Sequence, residues 1–181
     1  MKKDKGITLI ELLVTIAILS ILAVALGFGF VGWQGKYKVE SQTKDLYDDL
    51  MDARVRAMQR NRAHFVTLVA TQYTIQEDIA PWPDGDGALT AADNVRPAGY
   101  TDPIPLLQND LNPVYPITWS DAADTQIDFT PRGLSNDNKT ICIFTGVDPD
   151  YDCVVISATR INMGKIPDQG SACNNANCDA K

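Results

Sequence analysis

A long, nearly uncharged stretch close to the N-terminus restricts what this chain can fold into. Between Ile7 and Gly35 the sequence contains a single charged residue, Glu11. A helix rises about 1.5 Å per residue, and roughly 20 apolar residues are enough to cross the hydrocarbon core of a bilayer. The stretch can therefore span a membrane once. Lysines flank it on both sides: Lys2, Lys3, Lys5, Lys36 and Lys38. The three that precede it predict a cytoplasmic N-terminus, with the rest of the chain on the far side.

A secretory signal peptide would also combine a basic start with an apolar centre. Its apolar region, however, is about 7 to 15 residues long and ends at a small-residue cleavage site, and this stretch is longer. A carboxylate inside a membrane helix costs free energy, and a signal peptide has no use for it. A simple single-pass anchor accounts for the length, but it leaves Glu11 without a role.

The residues around this glutamate form a specific motif. Lys5–Val14 is Lys-Gly-Ile-Thr-Leu-Ile-Glu-Leu-Leu-Val, and it resembles the class III leader of type IV pilins and type II secretion pseudopilins, with Ile replacing the commoner Phe after the glycine. The resemblance implies that a prepilin peptidase removes residues 1–6 as a leader peptide, by cleaving between Gly6 and Ile7, and methylates Ile7. It also implies that Glu11 acts in assembly, by pairing with the N-terminus of a neighbouring subunit.

The same resemblance implies a location and a set of partners. The protein would be a single-pass protein of the bacterial inner membrane with a periplasmic head, and it would then enter a pilus or pseudopilus filament. Its partners would be other pilin or pseudopilin subunits, the prepilin peptidase and the inner-membrane assembly platform.

The helical pattern continues beyond the apolar stretch. Residues 36–63 contain neither Pro nor Gly, and apolar residues recur there at spacings of three, four or seven, which is typical of an amphipathic helix. These residues are Val39, Leu46, Leu50, Ala53 and Ala57. We therefore expect one helix over residues 7–63. Its transmembrane or filament-core half would be residues 7–35, and its amphipathic half residues 36–63.

Two groups of residues in this helix allow more than one interpretation. Glycines gather where the two halves meet: Gly27, Gly29, Gly32 and Gly35. Each lowers helix stability by about 1 kcal/mol relative to Ala, so this junction either unwinds on assembly or serves close helix packing.

Arginines gather near the C-terminal end, where the helix macrodipole favours cations: Arg54, Arg56, Arg60 and Arg62. We expect these to form a solvated helix end rather than a phosphate-binding patch.

After Ala63 the pattern changes to alternating and β-branched segments. Strands are expected at residues 65–69, 73–79, 126–129, 140–144 and 153–161, with a loop rich in Pro, Gly and Asp at 81–116. Residues 64–181 would form a β-rich head with a disulfide-stapled C-terminal region, and one apolar face of its sheet would cover the apolar stripe of the helix. The expected fold class is α+β, a long N-terminal helix packed on a small antiparallel sheet.

Two segments of the head add a second, looser resemblance. Residues 127–133 are Ile-Asp-Phe-Thr-Pro-Arg-Gly, and residues 154–157 of the following hairpin are Val-Val-Ile-Ser. Together they resemble the C-terminal half of the H-type minor pseudopilins, the GspH and FimT/FimU-like group. This resemblance implies the pilin fold and a role as a minor subunit.

All four cysteines lie after the membrane segment, on the oxidising side of the predicted topology, so disulfide bonds are expected. They are Cys142, Cys153, Cys173 and Cys178. Three connectivities are possible. Cys142 and Cys153 lie on opposite arms of a predicted hairpin, which favours a bond between them and leaves Cys173 to pair with Cys178. A zinc site is disfavoured, because no pair has the C-x2-C spacing and the single histidine, His64, lies in another element.

An aspartate-rich part of the long loop resembles half of an EF-hand loop, with Gly87 at the turn. Its candidate calcium ligands are Asp84, Asp86, Thr90 and Asp93. Trp82 occupies the first ligand position, where a carboxylate is needed. Because aspartates are also common in turns, weak calcium binding and turn formation both remain open. No other cofactor is expected.

The sequence contains no pattern typical of an enzyme, neither a G-x-S-x-G elbow, nor a phosphate-binding glycine loop, nor a second histidine. We therefore expect a structural filament subunit. A DNA-binding competence pilin is the alternative from another class, because some FimT-like relatives bind DNA through basic residues near the C-terminus. Only Arg160 and Lys165 lie in the matching region, and the chain has a net charge of −7. Nucleic-acid binding is therefore not expected.

Overall fold

The computed structural model describes residues 7–181, and for residues 25–31 it describes the backbone without the side chains. Its first element is one long helix, α1 (Leu9–Arg60). Thr8 caps the start of α1, because its side-chain oxygen accepts the backbone N–H of Glu11 at 3.3 Å. Asn61 ends α1 in a left-handed conformation, with φ 54°, and donates its N–H to the carbonyl of Ala57. The leader, residues 1–6, lies outside the described residues.

In the single chain α1 is continuous through the glycine-rich junction, and unwinding on assembly stays a prediction. Gly35 has a clear packing role. A Cβ at this position would lie 2.7 Å from the hydroxyl oxygen of Tyr115 and 3.1 Å from a methyl carbon of Val147. A side chain here would have to displace the side chains of Tyr115 and Val147. Close packing therefore explains Gly35, which is the first buried residue among the helix positions whose burial is described.

Nine strands and two short 3-10 helices follow α1. The strands are β1 (His64–Val69), β2 (Gln72–Glu77), β3 (Leu107–Asp110), β4 (Thr118–Trp119), β5 (Gln126–Phe129), β6 (Lys139–Cys142), β7 (Cys153–Ile156), β8 (Ile161–Lys165) and β9 (Asp179–Ala180). The 3-10 helices span Ala91–Asn94 and Asn175–Asn177. All strand pairs are antiparallel. The α+β fold class predicted from the sequence is confirmed.

The head contains two sheets rather than the single sheet predicted. The first has the order β3-β2-β1-β5, and the second has the order β4-β6-β7-β8-β9. The segment 153–161, predicted as one strand, contains β7 and the start of β8, joined by a turn in which Ser157 and Arg160 exchange backbone hydrogen bonds. The predicted loop 81–116 contains β3, which pairs with β2. Two sheets form because each has its own apolar face to bury against the same helix.

The core lies between these two sheets and the amphipathic half of α1. Helix residues at spacings of three, four and seven form one buried cluster with alternate residues of both sheets. The helix contributes Val39, Leu46, Leu50, Ala53 and Ala57. Val66 and Ile127 of the first sheet and Ile141 and Val154 of the second belong to the same cluster. The apolar stripe predicted from periodicity is therefore the surface that the head covers.

Candidate functional site

The first part of α1 is bare. We call residues 7–24 the bare stem, because every residue in this range is exposed. Its large apolar side chains range from 49% exposed at Ile16 to 77% at Ile7 and Leu9. An uncovered apolar surface of this length marks an interaction site, because water-soluble surfaces rarely carry one. Over the part of the chain that the structure describes, no helix is both long enough and apolar enough to cross a membrane.

The processing and assembly residues lie at the start of this stem. Gly6 is outside the described residues, and Ile7 is the first residue that the structure describes. Glu11 is in the first turn of α1, where its carboxylate has a favourable position relative to the helix macrodipole. Its side chain is exposed together with the rest of the stem. Cleavage after Gly6, methylation of Ile7 and pairing of Glu11 with another subunit stay predictions.

The predicted disulfide pairing is wrong, although all four cysteines are oxidised. Cys142 is bonded to Cys173, and Cys153 is bonded to Cys178. Side chains alternate between the two faces of a strand, and the neighbouring Ile141 contributes to the core next to α1. Cys142 and Cys153 therefore emerge on the outer face of the second sheet. The C-terminal tail, residues 166–181, folds back over that face and brings its two cysteines to them.

The tail could not approach so closely without Gly164 on β8. A Cβ at this position would lie 2.6 Å from the carbonyl oxygen of Asp179 and 2.8 Å from the sulfur of Cys178. Asp152, which is fully buried, also fixes the start of the tail. Its carboxylate accepts the backbone N–H of Ile166 at 2.6 Å and the side-chain amide of Gln169 at 2.7 Å. The tail is thus a fixed part of the head.

The solvated helix end predicted for four arginines is wrong for Arg60 and Arg62, whereas Arg56 makes a surface pair with Asp52 in the same helix. Arg60 and Arg62 donate to separate oxygens of Glu77, at 2.8 and 2.9 Å. Glu77 is 3% exposed, and it also accepts the hydroxyl of Tyr100 at 2.9 Å. Arg60 also pairs with Asp102 at 2.5 Å, and this hydrogen bond holds the pKa of Asp102 below its usual value. We call Arg60, Arg62, Glu77, Tyr100 and Asp102 the Glu77 cluster.

The Glu77 cluster connects three separate parts of the chain: the helix end, β2 and the long loop. Arg62 also lies over the ring of Trp82, with 4.5 Å between the guanidinium carbon and the ring centroid. Sequence reasoning missed this cluster because Glu77 is far from its partners along the chain. The available signal was a carboxylate at the end of an alternating strand, where an unpaired buried charge is too costly to be tolerated.

The four candidate calcium ligands do not share one environment. Asp84, Asp86 and Thr90 are exposed, whereas Asp93 is 1% exposed. One oxygen of Asp93 accepts the backbone N–H groups of residues 79 and 80 at 2.9 Å, and the other accepts the N–H and the hydroxyl of Thr90. Burial raises the pKa of Asp93, but these hydrogen bonds more than offset it and lower the pKa overall. Asp93 thus acts as a turn former, and calcium binding stays a prediction.

No metal centre is seen in the described part of the chain. Residues 7–181, as far as their side chains are described, contain no group of three or more His, Cys, Asp or Glu residues suited to a metal ion. Lys165, one of the two cations considered for DNA binding, pairs with Asp148 at 2.6 Å. That pairing leaves less free positive charge for phosphate groups.

One helix with a bare apolar half and a half covered by an antiparallel head is the pilin fold. Two family models match the sequence. The prokaryotic N-terminal methylation motif matches residues 1–27, and the Type II transport protein GspH model matches residues 42–159. Because the second match covers more than half of the chain, the protein belongs to the GspH family of type II transport proteins. The resemblance to H-type minor pseudopilins is thereby confirmed.

Two solved structures are similar in fold. The minor pseudopilin EpsH from the type 2 secretion system of Vibrio cholerae has 13% sequence identity and a TM-score of 0.50, covering 72% of this chain and 99% of that chain. The type IV minor pilin FimU of Pseudomonas aeruginosa has 18% identity and a TM-score of 0.48, covering 77% of this chain and 96% of that chain. No significant sequence match to a curated protein was found.

Proposed function

We propose that this chain is a minor filament subunit of a type II secretion pseudopilus or a type IV pilus. The family description, Type II transport protein GspH, favours the secretion form. In this proposal a prepilin peptidase cleaves between Gly6 and Ile7 and methylates Ile7, and an inner-membrane platform then adds the subunit to the filament. The methylation motif at residues 1–27 supports the processing step.

The observation that carries the proposal is the contrast in burial along α1. Leu46 and Leu50 are at most 1% exposed beneath the head, whereas Leu12 and Leu13, on the same helix, are 57% and 53% exposed. Apolar surface removed from water contributes about 25 cal/mol per Å². Packing the bare stems of neighbouring subunits together would therefore supply the driving force for a filament, with the heads on its outside.

Before assembly, we propose that the N-terminal segment anchors the subunit in the inner membrane with its head in the periplasm. The sequence supports this, since Glu11 is the single charge between Ile7 and Gly35 and lysines precede the segment. The two disulfide bonds of the head also support it, because such bonds persist in an oxidising compartment.

The test replaces Glu11 in the native host and follows both processing and assembly. Glu11→Ala should still be cleaved, with an N-terminus at Ile7 by mass spectrometry, but its recovery in sheared filaments should fall at least about tenfold. The physical reason is that an ion pair shielded from water is far stronger than a surface pair. Asp48→Ala is the matched control, because it removes an exposed carboxylate from the same helix outside the bare stem. Recovery of Glu11→Ala at wild-type levels would contradict the assembly role.

A further inference from the structure

The boundary between the bare stem and the head carries a second surface feature. Trp33 and Tyr37 lie one helical turn apart and stack, with ring centroids 6.0 Å apart and an angle of 21° between the ring planes. Their side chains are 63% and 61% exposed. Both aromatic rings combine an apolar body with a polar N–H or O–H group, so both suit a boundary between an apolar and a polar phase.

Two lysines lie on α1 beside these rings. Lys36 falls between them in the sequence and approaches Asp150 of the head at 3.8 Å, with its side chain 36% exposed. Lys38 follows Tyr37 and is exposed. We call Trp33, Lys36, Tyr37 and Lys38 the collar. Gly35 faces the head, and Lys36 reaches the edge of the head, whereas Trp33, Tyr37 and Lys38 are exposed.

The distance from the helix start places the collar at a defined height. From Leu9 to Trp33 the helix rises about 36 Å at 1.5 Å per residue. The hydrocarbon core of a bilayer is about 30 Å thick, and the bilayer with its headgroup regions measures about 40 to 45 Å. With Leu9 near one surface of the hydrocarbon core, Trp33 reaches the headgroup region on the opposite side.

A small groove beside the aromatic pair carries charges of both signs. It has a volume of about 280 Å³ and is lined by Trp33, Lys36, Tyr37, Glu40 and Asp150. Zwitterionic headgroups likewise carry a phosphate and an ammonium group. A dry helix bundle is a poor alternative environment, because burying lysine ammonium groups there without full pairing costs several kcal/mol.

We propose that the collar docks into the headgroup layer of the periplasmic leaflet and sets the height of the head above the membrane before assembly. This inference rests on the proposed membrane anchoring of the subunit. Interfacial Trp and Tyr hold a helix at a fixed depth, and neighbouring lysines extend toward the phosphates. The collar would thereby present all stems at one height to the assembly platform.

The test measures the depth of Trp33 in lipid. The full chain, with Trp82→Phe and Trp119→Phe so that Trp33 is its single tryptophan, is reconstituted at low protein density into phosphatidylcholine vesicles. The lipids carry bromine either near the top or near the end of the acyl chain. Bromine near the top should quench Trp33 emission about twofold more strongly, because interfacial rings lie at headgroup level. A matched variant that retains Trp82 and carries Phe at 33 and 119 should show no quenching.

The other outcomes distinguish failure of the collar proposal from failure of the proposed membrane anchoring. If the protein floats with the vesicles but Trp33 is quenched more by the deeper bromine, or by neither lipid, the collar proposal is wrong and membrane anchoring stands. If the protein does not float with the vesicles, the proposed membrane anchoring itself fails. Should the double substitution unfold the head, the wild-type chain is compared with Trp33→Phe, and the difference in quenching reports Trp33 alone.

Discussion

Cys142 on β6 and Cys153 on β7 lie directly opposite each other, yet each is bonded to a cysteine of the C-terminal tail. The two bonds join residues 31 and 25 positions apart in the sequence, and the loops they close overlap. Both bonds therefore hold the tail across the outer face of the second sheet. In the chain-entropy model each contributes about 3 to 4 kcal/mol.

The first prediction concerns this connectivity. Trypsin cuts after Lys139, Arg160 and Lys165, so Cys142 and Cys153 fall in peptide 140–160 and both tail cysteines fall in peptide 166–181. Under non-reducing conditions these two peptides should have the mass of one doubly linked species. Fragmentation should assign the Cys142–Cys173 bond. Two separate peptides, each closed on itself, would contradict the structure.

A second prediction concerns Gly164. Gly164→Ala should lower the free energy of unfolding by about 1 to 3 kcal/mol, because the added methyl group would collide with the backbone of Asp179 and the sulfur of Cys178. The measurement is urea unfolding of the full chain in detergent. Gly146→Ala is the control, since a Cβ at Gly146 has no atom within 4 Å. Equal effects of the two substitutions would count against a close approach of the tail at β8.

A third prediction concerns the Glu77 cluster. Glu77→Gln should destabilise the head by about 3 to 5 kcal/mol, because it removes the buried negative charge that two arginines share. Asp102→Asn breaks an ion pair in which both side chains are about one-third exposed, and should cost about 1 kcal/mol or less. The comparison uses urea unfolding of both variants. A Glu77→Gln effect as small as that of Asp102→Asn would show that the cluster does not hold the helix end.

The fourth prediction is a pH dependence that comes from His64. This residue is fully buried, and burial lowers the pKa of its imidazole from the ordinary value of 6.5. Its Nδ1 lies 3.3 Å from the carbonyl oxygen of Arg62, and within the described residues its Nε2 has no hydrogen-bond partner. The native head therefore favours the neutral imidazole of His64.

The direction of this pH dependence follows from whether the folded or the unfolded chain binds the proton at the higher pH. Above pH 6.5 the imidazole of His64 is neutral in both the folded and the unfolded chain, so its protonation does not lower stability there. As the pH falls below 6.5 the unfolded chain takes up the proton first, and stability declines by at most about 1.4 kcal/mol per pH unit.

The measurement is the difference between the wild type and His64→Phe, by urea unfolding at neutral pH and at about pH 5. Taking a difference is necessary because burial raises the pKa of Asp78, Asp128 and Asp152, which changes stability in the opposite direction. The wild type should lose stability relative to the variant at the lower pH. Parallel behaviour of the two proteins would remove His64 as the cause.

Local patterns in the sequence were enough to predict the helix and the fold class. The spacing of Val39, Leu46 and Leu50 predicts the face of α1 that the head buries, because helix periodicity requires no knowledge of the partner surface. The motif at Gly6 and Glu11 likewise depends on adjacent residues, and the family match at residues 1–27 agrees with it. The strands at 65–69 and 126–129 were predictable because the alternation of side chains along a strand is also a local pattern.

The tertiary structure alone decided which distant groups meet. Cys142 could pair with any of three cysteines, and the return of the tail over the outer face of the second sheet selected Cys173. In the same way, only the packing of β2 against the helix end brings Glu77 to Arg60 and Arg62. The sequence by itself determined the elements that short-range periodicity and motifs encode. Contacts between residues far apart along the chain depend on how whole elements pack, and no local pattern specifies that packing.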